Sequence, residues 1–440
     1  MKKILIVVLL TGMLFLIMFN NIKFSYGIIE QVSKKEIKIQ IQNDHFYLKP
    51  MFINASFKKG DFVKISYFNK LSKNQPTKII NLQKTEDLSK IIPTEWNDIL
   101  FKEYHQQAYT TLLKMTLEEK IGQMILSRFP ENSNQAIQEY HVGGFILFKK
   151  DFENKTKEEI IYQINQLQDS SKIPLFLAVD EEGGTVVRIS SNPNLRDTPF
   201  LSPHQIYNTS GLTGIEEDTE EKIKLLKELG INLNLAPVAD VSVDSDDYIY
   251  ERSLGEGALE TSKYIKAVVK IYNEEKMGCA LKHFPGYGSN KDTHQGISID
   301  NRSYSEFTKN DFLPFQAGIE EKVPSILVSH NIVTSMDSNY PASLSKNVHD
   351  ILKNKLHFRG VIMTDELSMK AIQEYTNNPI LAAIESGNDL LLVTDYEQAY
   401  QDIMNSVENG KIKEERINES VFKILAWKYE LGILKQNIDK

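Results

Sequence analysis

The stretch KEEIIYQINQLQDSSKIPLFLAVD, residues 157–180, joins a helix-like segment to a near-continuous apolar run that ends in Asp180. Such a run is typical of a strand buried on both faces of a parallel sheet. The chain has eight such runs, with helix-like segments between them: QMILSRF (123–129), GGFILF (143–148), IPLFLAVD (173–180), INLNLAPVAD (231–240), MGCALKHF (277–284), PSILVSHN (324–331), GVIMTDE (360–366) and DLLLVT (389–394).

Eight strand–helix units predict an α/β fold, a (β/α)8 TIM-type barrel, over residues 105–437. An open, doubly wound sheet is the alternative architecture. Since no Gly-x-Gly-x-x-Gly follows an early strand, the chain lacks the mark of a dinucleotide-binding sheet.

Polar residues end five of the eight runs. They are Asp180, Asp240, Lys282 with His283, His330 with Asn331, and Asp365 with Glu366. In a (β/α)8 barrel the carboxyl ends of the strands converge on one mouth, where active sites lie. The polar strand ends therefore predict one site that is built from several strands.

The N-terminus predicts an export segment. Met1-Lys2-Lys3 is positively charged, and residues 4–19 form an apolar run broken only by Thr11 and Gly12. Such a run fits a signal peptide and is slightly short for a transmembrane helix. We expect residues 1–27 to be a signal peptide or an N-terminal membrane anchor. The protein would then be extracellular or membrane-anchored at a bacterial cell envelope.

Residues 28–88 predict a small all-β module ahead of the barrel. KKEIKIQIQNDHFYLKP, GDFVKISYFN and TKIINLQK alternate polar and apolar residues, as half-buried strands do. The module contains no compact set of catalytic residue types. We interpret it as a spacer or packing module, with wall or partner binding as the alternative.

Composition excludes some partners. The net charge of −8 and pI near 5.7 argue against nucleic acid. A single cysteine, Cys279, excludes an internal disulfide, and its apolar neighbours indicate a core residue.

The sequence lacks the signatures of several kinds of catalytic site. His283, Asp292 and His294 are candidate metal ligands, but Lys282 beside them would repel a cation. The chain has no Gly-x-Ser-x-Gly elbow and no P-loop. A carboxylate nucleophile with an acid–base partner, as in a retaining glycosidase, is the remaining chemistry.

Six segments in this order resemble the catalytic domain of glycoside hydrolase family 3, of the NagZ-like β-N-acetylglucosaminidase kind. They are AVDEEGGTVVRI (178–189), INLNLAPVADV (231–241), ERSLGE (251–256), KHFPGYG with DTH (282–294), PASLS (341–345) and FRGVIMTDELSMKAI (358–372). The resemblance implies a retaining exo-β-N-acetylglucosaminidase that acts on GlcNAc-containing glycans or muropeptides, with no cofactor and no metal. We expect a monomer, with a possible membrane tether through the N-terminal segment.

The resemblance also assigns roles. Asp365 is the expected nucleophile, with Glu366 as the adjacent alternative. Neighbours in an extended segment point in opposite directions, so only one of the two is expected to face the mouth.

The expected acid–base group is His294, oriented by Asp292. Histidine titrates near neutrality, and a carboxylate fixes its tautomer. The residues expected to bind the terminal sugar are Asp180, Arg188, Arg252, Lys282 and His283. Asp240, His330 and Tyr287 are further candidates.

The chain departs from the family pattern ahead of His294. Tyr287 stands where a histidine is usual, and the spacer SNK (289–291) is one residue short. Two alternatives remain open: another family 3 activity, such as a β-glucosidase or a GlcNAc phosphorylase, or a non-catalytic glycan-binding protein of the envelope.

Overall fold

A computed structural model describes residues 22–33, 36–41, 44–48, 57–58, 61–68, 79–85, 91–290, 296, 298–369, 372 and 375–435. The chain divides into two units, Met1–Asn97 and Asp98–Lys440. The division lies within residues 89–104, between the predicted β module and the predicted barrel.

The first unit contains a sheet of five antiparallel strands in the order β3-β2-β1-β4-β5. The strands are β1 (Ile22–Val32), β2 (Ile37–Ile41), β3 (Asp44–Leu48), β4 (Phe62–Phe68) and β5 (Ile79–Lys84). Side chains alternate between the core and the other face. Val63 and Ile65 are fully buried, for example, whereas Lys64 between them is only partly buried.

Strand β1 includes residues 22–27 of the segment predicted to be a leader or an anchor, whereas residues 1–21 lie outside the described residues. None of the helices in the described ranges is long and apolar enough to cross a membrane.

The second unit is the barrel, and its eight main strands coincide with the eight apolar runs. Its strands are β6 (Ile125–Arg128), β7 (Gly144–Leu147), β8 (Phe176–Val179), β9 (Leu233–Asn234), β10 (Gly278–Phe284), β11 (Ile299–Asp300), β12 (Ser325–Val328), β13 (Ile332–Val333), β14 (Val361–Thr364) and β15 (Leu391–Val393). β11 and β13 form a separate parallel pair. The other eight are all parallel, in the order β14-β12-β10-β9-β8-β7-β6-β15.

Hydrogen bonds between β14 and the start of β15 close the ring. The Thr364 N–H donates to the Leu390 carbonyl, and the Leu390 N–H donates to the Ile362 carbonyl, both at 3.1 Å. The predicted barrel is therefore confirmed, and the open doubly wound sheet is excluded.

Helices surround the barrel. Among the described residues its α-helices are His105–Lys114, Leu117–Gln123, Ser133–Gln138, Lys149–Phe152, Lys157–Ser170, Pro203–Glu228, Ala258–Glu274, Tyr304–Lys309, Phe312–Glu320, Lys346–Asp350, Pro379–Ser386, Tyr396–Glu408 and Glu414–Glu430. Lys157–Ser170 shows why they form. A capping box between Thr156 and Glu159 starts it, and Ile160, Ile164 and Leu167 are buried on one face.

Strand β9 is much shorter than its apolar run. It has two residues, and Pro237 farther along the run has no N–H to donate to a neighbouring strand. The chain nevertheless stays beside β10, since the Ala239 N–H donates to the Lys282 carbonyl at 2.7 Å. This contact brings Asp240 to the mouth of the barrel.

Candidate active site

A cavity of about 200 Å³ opens at the carboxyl ends of the barrel strands. Each of the eight main strands lines it with a residue from its last three positions or from the position just after it: Arg128, Ile146, Asp180, Leu235, Lys282, Leu327, Asp365 and Leu392. Three of the five strand ends that the sequence singled out contribute to this cavity, as expected for the mouth of a barrel: Asp180, Lys282 with His283, and Asp365 with Glu366.

The charges in the cavity wall balance. Arg128, Arg188, Arg252 and Lys282 supply four cations, and Asp180, Glu182, Asp365 and Glu366 supply four carboxylates. His283, Phe148 and Tyr248 also line the cavity. Such a mixture is suited to a ligand with many hydroxyl groups, because each can donate to a carboxylate and accept from a cation.

Glu182 joins the buried Lys282 to the partly buried Arg252 on one side of the cavity. Its carboxylate accepts two hydrogen bonds from Arg252, at 2.8 and 2.9 Å, and lies 2.6 Å from Nζ of Lys282. Only 1% of the Glu182 side chain is exposed. Burial alone would raise the pKa of Glu182, but Arg252 and Lys282 hold it well below its ordinary range.

Lys282 also donates to Asp180, with 2.6 Å between Nζ and Oδ1. Burial would lower the pKa of Lys282, whereas the charges of Asp180 and Glu182 raise it above its usual value. Lys282 therefore stays an ammonium group, and a single cation orients two carboxylates.

The predicted sugar-binding residue Arg188 lies at the edge of this network, with Nη2 3.8 Å from Oδ2 of Asp180. Its loop is held by Glu181, a fully buried carboxylate that accepts the backbone N–H groups of Arg188 and Ile189 at 2.8 and 2.7 Å. Glu181 is thus a structural residue, although it stands between two residues of the cavity wall.

His283 is fixed in one tautomer by Asp240. Nδ1 of His283 lies 2.7 Å from Oδ2 of Asp240, so it must donate its proton to the carboxylate. Nε2 then accepts from Arg252, with Nη2 at 3.3 Å. Asp240 also accepts the backbone N–H groups of His283 and Tyr287. Asp240 and Tyr287 are buried behind the cavity, where they support His283.

Asp365 and Glu366 both line the cavity. The expectation that only one of them faces the mouth is wrong, because strand β14 ends at Thr364 and the chain bends at Asp365. The two differ in their contacts. Oδ1 of Asp365 accepts the Glu366 N–H at 2.8 Å, whereas the Glu366 carboxylate contacts Arg128 at 3.3 Å and Thr394 at 3.2 Å.

His330 contacts the backbone of this turn. Its Nε2 lies 3.0 Å from the backbone carbonyl of Glu366, and its Nδ1 lies 2.7 Å from Oγ of Ser343. His330 is fully buried and does not line the cavity. It therefore helps to set the position of Asp365 and Glu366.

The expected acid–base residues, Asp292 and His294, lie outside the described residues. Their assignment remains a prediction from the sequence. The described chain reaches Asn290 on one side of them and continues from Ser298 on the other.

Four polar or aromatic residues of the cavity wall were missed: Arg128, Phe148, Glu182 and Tyr248. Glu182 follows Asp180 by two positions, a spacing that puts both side chains on one side of an extended segment. Arg128 precedes the last residue of the first apolar run, so the rule applied to the other polar strand ends identifies it as well, whereas Phe148 ends the second run but is not polar. The guanidinium groups of Arg128 and Arg188 lie 4.7 and 5.6 Å from the ring centre of Phe148.

In the part of the chain that the structure describes, no group of three or more His, Cys, Asp or Glu residues is arranged to hold a metal ion. Cys279 is fully buried, and burial raises the pKa of its thiol. Its position in the core agrees with its apolar sequence neighbours.

Comparison with known proteins places most of the barrel in one family. Residues 116–427, more than half of the chain, match the model described as the glycosyl hydrolase family 3 N terminal domain. A beta-hexosaminidase A from Pseudoalteromonas piscicida is 29% identical over 339 residues, which are 70% of this chain and 56% of that protein. A beta-hexosaminidase from Nitrosomonas eutropha is 29% identical over 61% of this chain and 78% of its own length.

A solved structure shares the fold. The glycoside hydrolase family 3 beta-N-acetylglucosaminidase from Paenibacillus sp. str. FPU-7 has a TM-score of 0.68 and 27% identity, over 72% of this chain and 63% of that one. The chain thus spans little more than half the length of the first of these relatives and less than two thirds of the solved one.

Proposed function

The chain belongs to glycosyl hydrolase family 3, and from this premise we propose that it removes terminal β-linked N-acetylglucosamine residues from glycans by a retaining mechanism. One observation carries the proposal: the barrel brings Asp365 to the same small cavity as the buried Asp180–Lys282–Glu182–Arg252 network. The named relatives, beta-hexosaminidases and a beta-N-acetylglucosaminidase, support the choice of sugar.

Asp365 is the proposed nucleophile. Its carboxylate attacks the anomeric carbon and forms a glycosyl ester, while the bond from that carbon to the leaving oxygen breaks. Water then attacks the same carbon from the side of the departed group and releases Asp365. Two inversions leave the β configuration unchanged.

His294 is the proposed acid and base. In the first step it gives its proton to the leaving oxygen, and in the second it takes one from the attacking water. Asp292 would hold the imidazole in the required tautomer and stabilise its protonated form. This assignment rests on the DTH sequence and its place after strand β10.

The buried network is the proposed binding site for the terminal sugar. Asp180 accepts hydrogen bonds from sugar hydroxyls. Arg188, Arg252 and Lys282 donate hydrogen bonds to the hydroxyl oxygens. His283 lies beside Arg252 and offers a further polar edge. Because these side chains are already fixed by one another, binding requires little reorganisation.

The size of the cavity agrees with an exo-acting enzyme. At about 200 Å³ it is smaller than the clefts of about 300–1,000 Å³ that hold drug-sized ligands. It fits one terminal sugar better than an internal stretch of polysaccharide.

Fragments of peptidoglycan are the proposed natural substrates, and the bacterial cell envelope is the proposed location. The basic start and the apolar run of residues 4–19 support export, with retention through that segment or its removal. We propose that the protein acts as a monomer, since the strands and loops of one barrel supply the cavity wall described above.

The test is hydrolysis of para-nitrophenyl β-GlcNAc and of the matching β-glucoside by the purified full-length protein. We expect turnover of the GlcNAc substrate alone, with the β anomer formed first by NMR, and loss of turnover in Asp365→Ala. Preference for the glucoside, or release of a sugar phosphate when phosphate is added, would replace the proposal by another family 3 activity. Binding of GlcNAc oligomers without turnover would favour a glycan-binding protein.

A further inference from the structure

Arg302 forms a cluster of contacts with residues that precede and follow, in the chain, the segment that carries Asp292 and His294. Its Nη1 donates to both carboxylate oxygens of Asp311 at 3.0 Å. Its Nε and Nη2 donate to Asp300, and Nη2 also donates to the Gly286 carbonyl at 3.2 Å. The guanidinium lies 4.2 Å from the centre of the Phe307 ring. None of these residues lines the candidate active-site cavity.

The cluster holds the chain where it leaves strand β10. The turn contains Gly286 and Gly288, with φ of 126° and 56°, values that favour glycine. A Cβ at Gly286 would lie 2.2 Å from Asp311, and one at Gly288 would lie 2.5 Å from the Arg302 guanidinium. The turn therefore packs so closely against Arg302 and Asp311 that these two positions have no room for a side chain.

The same cluster holds the chain where it returns. Asp300 lies in strand β11, which pairs with β13, and its carboxylate accepts from Asn290 Nδ2 at 2.7 Å. Asn290 also donates to the Tyr287 carbonyl, and its Oδ1 accepts from Ser298 Oγ at 3.3 Å. Asn290 and Ser298 are the described residues on either side of residues 291–297, Gly296 apart.

We propose that Arg302 is a positioning residue for the acid–base pair. Its contacts hold the chain both before and after the segment with Asp292 and His294. The inference rests on the proposed function of His294. Arg302 does not touch the cavity, so its effect on the reaction passes through the segment that it anchors. By fixing the two ends, it limits the positions that His294 can take.

An arginine is required for this arrangement. The side chains of Asp300 and Asp311 are only 2% exposed, and one planar guanidinium contacts both while it also reaches a carbonyl. A lysine offers a single ammonium group, which cannot reproduce these paired contacts. Arg302→Lys should therefore behave more like Arg302→Met than like the wild type.

The test compares leaving groups. General acid catalysis raises the rate by about 10²–10⁴-fold, and its contribution is largest for a poor leaving group. For Arg302→Met we expect kcat/KM to fall by about 100-fold or more on phenyl β-GlcNAc, and by less than about tenfold on the dinitrophenyl glycoside. Added azide should raise kcat of the variant on the dinitrophenyl substrate, since azide attacks the glycosyl ester without a general base. His294→Ala should show the same pattern.

Arg196→Met is the matched control. Arg196 is 23% exposed against 25% for Arg302, pairs with a carboxylate at Glu221 and lies 4.1 Å from the Phe200 ring centre. It should leave the ratio between the two substrates unchanged. Asn290→Ala is a second variant, which removes one tie and leaves the buried charges paired. It should shift the ratio in the same direction as Arg302→Met.

The outcomes separate the two proposals. An active wild type in which Arg302→Met and Asn290→Ala lower kcat/KM equally on both substrates, without an azide effect, would overturn the role of Arg302 alone. A wild type that hydrolyses neither GlcNAc glycoside would overturn the proposed function, and the inference with it.

Discussion

Lys282 and Asp180 lie 102 residues apart in the chain, and their side chains meet with 2.6 Å between Nζ and Oδ1. Lys282 lies near the end of strand β10 and Asp180 follows strand β8, and one further strand separates β10 from β8 in the sheet. The contact therefore depends on the barrel as a whole. It also puts a buried cation between Asp180 and Glu182, so residues of the proposed sugar-binding site also contribute to the stability of the barrel.

Replacing Lys282 by Met should destabilise the barrel, because it leaves the buried Glu182 and the partly buried Asp180 with less compensating charge. Removing one partner of a buried ion pair costs about 3–5 kcal/mol. Guanidinium chloride unfolding should show a loss of this size, together with loss of GlcNAc-glycoside hydrolysis. Lys263→Met, which breaks an exposed pair with Glu260, should leave the free energy of unfolding close to that of the wild type. Equal effects of the two substitutions would contradict this account.

Substitutions of Asp365 and Glu366 should lower kcat to different extents, although both residues line the cavity. Asp365→Asn removes the proposed nucleophile and should lower kcat by about 10⁴-fold or more. Glu366→Gln keeps a side chain that can contact Arg128 and Thr394, and should cost about 10–100-fold. Mass spectrometry after reaction with a fluorinated GlcNAc inactivator should find the sugar on the peptide with Asp365. A label on Glu366 would exchange the two roles.

Asp240→Asn should disturb the site without touching substrate. The carboxylate accepts three hydrogen bonds, including the one that sets the tautomer of His283. An amide oxygen cannot accept all three, and its NH2 group favours the other tautomer. We expect kcat/KM to fall by about 10–100-fold, mainly through KM. Asp389→Asn is the control, since Asp389 is equally buried but precedes strand β15 at the opposite end of the barrel. It should lower the melting temperature and leave KM unchanged.

Stability should depend on pH through Lys353. Burial, and then the charge of Lys423, lowers the pKa of Lys353 from 10.5 to about 8. Between these values the unfolded chain holds the proton and the folded chain does not, so this residue makes wild-type stability rise with pH over that interval. Lys353→Met should stabilise the protein by about 1–2 kcal/mol at pH 7, and the gain should shrink between pH 8 and pH 10.5.

The neighbouring exposed residue provides the comparison. Lys355→Met changes the same charge on the same turn without a buried ammonium group. Its melting temperature should follow the wild type at every pH. If both variants show the same pH profile, the effect comes from net charge and not from the burial of Lys353.

The barrel could be predicted because its evidence is local. Each apolar run identifies its strand without knowledge of the others, and the eight runs coincide with the eight main strands of the closed sheet. Polar strand ends such as Asp180, Lys282 and Asp365 followed from the same reasoning, since parallel strands in a barrel end at one mouth. Arg128, at the end of strand β6, lines the cavity for the same reason, although it was not predicted.

The contacts among these residues could not be predicted from the apolar runs and strand ends. The prediction that only one of Asp365 and Glu366 faces the mouth assumed an extended chain, but the strand ends one residue before Asp365. Arg302 lies in an ordinary polar stretch, and its importance comes from Asp311, Asp300 and Gly286, which the fold collects around it.

The sequence by itself determined the barrel, the order of its strands along the chain and the residue types at their ends, because hydrophobic periodicity and strand boundaries depend on neighbours in the chain. Only the tertiary structure decided which charges pair: Lys282 with Asp180 and Glu182, His283 with Asp240, and Arg302 with two aspartates. Ion pairs and hydrogen bonds act over a few ångströms in space, and closure of the sheet sets those distances between residues far apart in the chain.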